Sequence, residues 1–232
     1  MRLVLIAGAF AMLASFILTP VFAKLLRARG LAQAIRESTD DVHYPEHQTK
    51  VGTPSMGGAA FLLALAIGYA VAHLVTWRAP SYSGLLAFYL TFALGSVGLA
   101  DDYLKIFKQR SAGIRARTKL IGQAFGALSF AWLALQDPTG VGISPASQAI
   151  SLVRDLPIVL PTVIFVLWVW LMVTATTNGV NLTDGLDGLV TGAAVMSFGA
   201  YTLLGVWQYG QACVWEVTPR CYSVADPLDL AV

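Results

Sequence analysis

Six apolar stretches, near 3–23, 57–77, 84–100, 120–136, 157–177 and 188–208, recur along this chain of 232 residues. Each is long enough, or nearly so, to cross roughly 30 Å of hydrocarbon at about 1.5 Å per helical residue. The chain is 56% hydrophobic and 12% charged, where an ordinary soluble domain carries about a quarter of its residues charged. The expected fold is therefore an all-α polytopic integral membrane protein with about six transmembrane helices. Leu228–Val232 opens a seventh. No internal repeat or low-complexity segment divides the sequence, so 1–232 reads as a single membrane domain.

The basic residues predict which side each loop takes, because Lys and Arg are retained on the cytoplasmic face. Eleven of the fifteen fall in Lys24–Lys50 or Lys105–Lys119, and only Arg2, Arg78, Arg154 and Arg220 lie opposite. The N-terminus is thus predicted outside, with the loops 24–56, 101–119 and 178–187 inside. The first stretch leads straight into Lys24, Arg27 and Arg29 without a small-residue cleavage site, which favours an anchoring helix over a signal peptide. A net charge of +2 gives no case for nucleic acid. The group at 105–119 has two equal readings, as topology and lipid-headgroup charges or as a phosphate-binding patch. Cys213 and Cys221 share the predicted outer loop 209–227, where a structural disulfide and two free thiols are equal alternatives.

Polar sequence gathers at three helix ends. The first loop carries His47-Gln-Thr-Lys-Val-Gly-Thr-Pro-Ser-Met-Gly-Gly58 into the second apolar stretch. Thr53 or Ser55 can cap that helix, whose glycine-freed N–H groups favour an anion, with Lys50 adding charge. Close helix packing through Gly57 and Gly58 explains the glycines equally well. The second segment begins at Asp101-Asp102. Adjacent carboxylates point about 100° apart on a helix and cannot chelate one ion symmetrically. A division of labour follows: one takes a proton or orients a nucleophile, while the other holds a cation or fixes Lys105, three residues beyond Asp102.

The third segment is Asn178-Gly-Val-Asn-Leu-Thr-Asp-Gly-Leu-Asp187. Asp184 and Asp187 share a face if it is helical, and Asn178 and Asn181 repeat that spacing a turn earlier. Such a stripe of hard oxygens suits Mg²⁺, which keeps waters and substrate phosphates as its other ligands. Carboxylates beside Lys and Arg then suit phosphoryl transfer. The sequence has neither a P-loop nor a Rossmann fingerprint, and no Ser-His-Asp constellation. Within the spans the main ionisable residue is His73, read as an interfacial hydrogen-bonding group; this scarcity weighs against proton-coupled transport.

Together the three segments resemble the phospho-N-acetylmuramoyl-pentapeptide transferases over essentially the whole chain. The resemblance rests on His47-x-x-Lys50-x-Gly-Thr-Pro-x-Met-Gly-Gly58, on Asp101-Asp-x-x-Lys105 with Gly113 and Lys119 following, and on Asn178-x-Val-Asn-Leu-Thr-Asp-Gly-Leu-Asp-Gly188. The cysteine-bearing outer loop and Asp226-Pro-Leu-Asp-Leu230 are similar to actinobacterial members. What the resemblance implies is Mg²⁺-dependent transfer of phospho-MurNAc-pentapeptide from UDP-MurNAc-pentapeptide to undecaprenyl phosphate, releasing UMP, in a multi-pass protein of the bacterial cell membrane with cytoplasmic active-site loops. By carry-over, Asp101 and Asp102 are catalytic, one as a base on the lipid phosphate. Lys50, Asn181, Asp184 and Asp187 line the nucleotide site, Lys105 and Lys119 lie near phosphates, and Ser55 and Asn178 join the substrate-binding set. A homodimer is one assembly to test.

Family members continue through further helices, a Gly-Asp-x-Gly-Ser segment whose Asp is taken to bind Mg²⁺, and a His-rich loop. The chain therefore reads as the N-terminal portion of a larger transferase domain, with the principal metal ligand expected beyond Val232. Thr39-Asp-Asp-Val-His-Tyr-Pro45 departs from the family's Asp-Gly-Pro approach to the first loop. The competing readings are a polyprenyl-phosphate GlcNAc-1-phosphate transferase and a non-catalytic membrane remnant.

Overall fold

The computed structural model describes residues 1–28, 56–108, 113–137, 143–151, 155–183, 188–213, 221 and 225–232. Among these the elements run α1 (Arg2–Ala28), α2 (Gly57–Thr76), α3 (Tyr82–Phe107), α4 (Ala116–Ala134), β1 (Ala149–Ser151), β2 (Asp155–Val159), α5 (Thr162–Thr183), α6 (Leu189–Gly210) and α7 (Pro227–Leu230). Helices α1, α2, α3, α5 and α6 are long and apolar enough to cross a membrane. The remaining apolar stretch forms α4, whose first turn carries Arg117 and Lys119. An all-α polytopic membrane protein is what the apolar pattern predicts, and the helices bear it out.

Small residues set how closely the helices pack. An added Cβ on Gly68 of α2 would fall 2.6 Å from Ala11 Cβ and 2.7 Å from the Ala7 carbonyl oxygen of α1. Only glycine permits that approach, the device by which helices associate where lipid tails offer no hydrophobic drive. Ala60, Ala64 and Ala72 of α2 and Ala127, Ala131 and Ala134 of α4 are likewise buried. Large apolar side chains such as Phe16, Leu171, Met196 and Phe198 point outward, as a lipid solvent requires.

Three local readings are corrected. The fifth apolar stretch was expected to be helical from 157, but 155–159 forms β2, paired antiparallel with β1 through Ala149↔Val159 and Ser151↔Asp155. Pro157 fits an edge strand and not a helix interior. The helix begins only after Pro161, whose carbonyl accepts from the Phe165 N–H at 3.0 Å. At α2 the N-cap is Met56, left-handed at φ 73° and without a side-chain cap; Thr53 and Ser55 lie outside the described residues. His73 makes hydrogen bonds as expected, but buried rather than at an open interface.

The alternation of helices collects two sets of ends. One holds the start of α2, the end of α3, the start of α4 and the end of α5. The other holds the start of α1, the end of α2, the start of α3, the hairpin, the end of α6 and α7. There Tyr82 donates to the Leu133 carbonyl at 3.0 Å, joining α3 to α4. Cys213 and Cys221 form a disulfide, with Cα atoms 4.9 Å apart.

Candidate active site

Helix α3 continues past the apolar run 84–100, and its last turns carry Asp101, Asp102 and Lys105 beyond the spanning segment. Asp101 and Lys105 are four apart and so share a helix face. Lys105 Nζ donates to Asp101 Oδ2 at 2.6 Å, while it stands 4.0 Å from Asp102 Oδ1. Lys105 was read as a partner of Asp102; Asp101 is its close contact. The other oxygen of Asp101, Oδ1, accepts from the Ile114 N–H at 2.7 Å. The carboxylate thereby ties the segment before α4 back onto α3.

Gly113 makes that tie possible. Its φ is +63°, and an added Cβ would fall against Asp101 Oδ1 and 2.9 Å from both Asp101 Cγ and Lys105 Cε. Backbone conformation and space both demand glycine.

The two adjacent carboxyls differ in character. Burial tends to raise Asp101, but the Lys105 hydrogen bond, the Ile114 N–H and the charges of Lys105 and Lys119 together hold it below the usual carboxylate range. Burial pushes Asp102 above that range, and the like charge of Asp101 adds to this, against the pull of Lys105 and of a hydrogen bond from the Met56 backbone. Asp101 is thus a fixed anion, and Asp102 is the better proton acceptor of the two. The Met56 contact also brings the last residues of the first polar segment onto the second.

The third segment is tied in through α4. Asn178 Nδ2 donates to Gln123 Oε1 at 3.1 Å and to the Thr174 carbonyl at 2.8 Å. Gln123 is 1% exposed and stands one turn along α4 from Lys119, whose charge acts on Asp101. Asn181 lies exposed on the last turn of α5. Lys50, Ser55, Asp184 and Asp187 lie outside the described residues. Among the described residues no three His, Cys, Asp or Glu side chains gather as a metal group.

Sequence reading missed Gln123 and the backbone N–H groups of Met56 and Ile114. Gln123 had a signal, an amide in an otherwise apolar run one turn beyond Lys119. The N–H groups had none.

A family model described as glycosyl transferase family 4 matches residues 84–222. The chain belongs to glycosyl transferase family 4. Its match includes Asp101, Asp102, Lys105, Lys119, Asn178 and Asn181. Proteins named phospho-N-acetylmuramoyl-pentapeptide-transferase are similar throughout: that of Streptomyces griseus is 45% identical over 236 residues, covering 100% of this chain and 65% of the relative. That of Arthrobacter sp. strain FB24 is 47% identical, with 98% and 65% covered, and that of Streptomyces coelicolor is 44% identical, with 100% and 66% covered. This family 4 chain therefore spans about two thirds of the length of the curated relatives it matches, slightly less in each case.

Proposed function

We propose that the chain forms part of a phosphoglycosyl transferase of the cell membrane, which moves phospho-MurNAc-pentapeptide from its UDP-linked donor to undecaprenyl phosphate. The observation that carries this reading is the meeting, at one end of the bundle, of Asp102 with Met56 and of Asp101 with Lys105 and Ile114. A polyprenyl phosphate presents its headgroup at that depth, at the end of a spanning helix. The basic residues of 105–119 support placing this end on the cytoplasmic side, where a UDP-sugar is supplied.

Asp102 takes the proton from the acceptor phosphate, whose oxygen then attacks the donor phosphorus next to the sugar. A new P–O bond forms, the bond to the UMP oxygen breaks, and UMP leaves with the electron pair. Lys105 and Lys119 hold phosphate oxygens, and Asp101 keeps Lys105 aimed. Asn178 and Asn181 belong to the nucleotide side. Mg²⁺ suits the hard-oxygen character of these donors and, when bound, supplies neutralisation of phosphate charge. Of the described residues, Asp102 is the carboxylate that would face it; Asp184 and Asp187 lie outside them.

The test is turnover with UDP-MurNAc-pentapeptide and, separately, UDP-GlcNAc, each with undecaprenyl phosphate and Mg²⁺, using a protein of the relatives' full length that contains this chain. Lipid product from the muramoyl donor alone is expected. Product from UDP-GlcNAc alone would assign the chain to the GlcNAc-1-phosphate branch, and no product from either would leave it a binding component.

A further inference from the structure

At the end of the bundle away from Asp101, Arg2 of α1 and Arg78, just past α2, line one cavity of about 540 Å³. Its walls include Leu3, Ile6 and Val75. Both arginines are exposed, and among the described residues neither forms an ion pair. Among the described residues no acidic side chain lines the cavity. The nearby carboxylates face elsewhere: Asp229 accepts from Tyr69 and Ser81 and pairs with His73, and Asp226 Oδ2 accepts from Ser83 at 3.2 Å.

Topology does not account for this convergence. The bias that orients the chain leaves only four basic residues on this side. The two that lie among the described residues, far apart in sequence, meet at one opening. Arg78 is also held in place. Its N–H donates to the His73 carbonyl at 3.2 Å, and its own carbonyl accepts from His73 Nδ1 at 2.9 Å. Three residues on, the Ser81 N–H is fixed to Asp229 Oδ2 at 2.8 Å. Beside it Trp77 is 94% exposed, as suits an aromatic side chain at a membrane interface.

We propose that this cavity binds an anionic phospholipid of the leaflet opposite Asp101, its headgroup phosphate between Arg2 and Arg78 and its acyl chain against Leu3, Ile6 and Val75. Arginine provides several donors for phosphate oxygens, and the apolar wall accepts the chain that a free anion lacks. The proposal is independent of the transfer chemistry above.

The test is native mass spectrometry of the protein in detergent, titrated with phosphatidylglycerol or phosphatidylcholine of identical acyl chains. Retention of phosphatidylglycerol at lower concentration is expected. Arg2→Gln and Arg78→Gln should each weaken it about fivefold, in line with the contribution of one basic residue near an anionic surface. Arg27→Gln, at the other end of α1, should leave it unchanged. Both target side chains are exposed, and circular dichroism checks the fold; if Arg78→Gln disturbs it, Arg2→Gln carries the test. Equal retention of the two lipids, undiminished binding in a folded variant, or equal loss in Arg27→Gln would overturn the proposal. Displacement of the lipid by millimolar inorganic phosphate would overturn it too, making the cavity a site for free anions.

Discussion

Asp229 Oδ1 lies 2.9 Å from His73 Nε2, joining α7 to α2 across 156 residues of sequence. Both side chains are buried, at 8% and 6% exposure. The other ring nitrogen, Nδ1, is directed to the Arg78 carbonyl. Oδ2 accepts from Tyr69 at 3.0 Å, from the Ser81 N–H at 2.8 Å and from the Ser81 hydroxyl at 2.5 Å. Removing the carboxylate orphans all these donors. Asp229→Ala is expected to destabilise the protein by about 3 kcal/mol, read as a lowered Tm in detergent. Turnover per folded molecule should hold, since α3 separates Ser81 from Asp101 by about 30 Å. An unchanged Tm would show that α7 is only loosely seated.

Gly113→Ala tests the tie between α3 and α4. A Cβ there meets Asp101 and Lys105, and the left-handed backbone adds about 1 kcal/mol of strain. The substitution should lower turnover by about a hundredfold, because a displacement of about 1 Å is enough to misplace Lys105. Membrane abundance should barely change. Wild-type turnover would mean that the Asp101–Ile114 contact does not organise the site.

Asp102→Asn removes the more basic carboxyl while keeping its shape. Turnover is expected to fall between about 10²- and 10⁴-fold, the usual range for a lost general base. Asp101→Asn should act instead by loosening Lys105, so its main effect is a raised KM for phosphate-bearing substrates. Steady-state kinetics of the two variants separate these roles, and a reversed pattern would make Asp101 the base.

Gln123→Leu should leave stability within about 1 kcal/mol, because among the described residues Gln123 Nε2 is already buried without a partner and Asn178 keeps its bond to the Thr174 carbonyl. Turnover should fall about tenfold as Asn178 loses its anchor on α4. A lower Tm with normal turnover would reduce Gln123 to a packing residue.

The disulfide tests orientation. Pairing of Cys213 with Cys221 suits an oxidising compartment, hence the outer side. A membrane-impermeant maleimide added to whole cells should label these cysteines only after treatment with an impermeant reductant. Labelling that requires permeabilised cells would reverse the topology. The double Cys→Ser variant should lose about 2.5 kcal/mol, the loop-entropy value for so short a span.

The apolar stretches alone determined that the chain crosses a bilayer as helices, because about 20 consecutive apolar residues admit few other structures in that solvent. Helical periodicity also placed Lys105 one turn beyond the carboxylate pair, but which of the two it holds closely, Asp101, came only from the structure. Tertiary structure decided what depends on packing between distant segments. Ile114 and Met56 reach the paired carboxylates through backbone N–H groups, which carry no residue-type signature. Gln123 meets Asn178 only because α4 packs against α5, which brings the two amides together across 55 residues. Asp229 stood out in the sequence only within Asp226-Pro-Leu-Asp-Leu230, and it is α7 packing that sets it beside His73. Local order follows from side-chain chemistry and period; which groups meet across 13, 55 or 156 residues follows from how the helices pack.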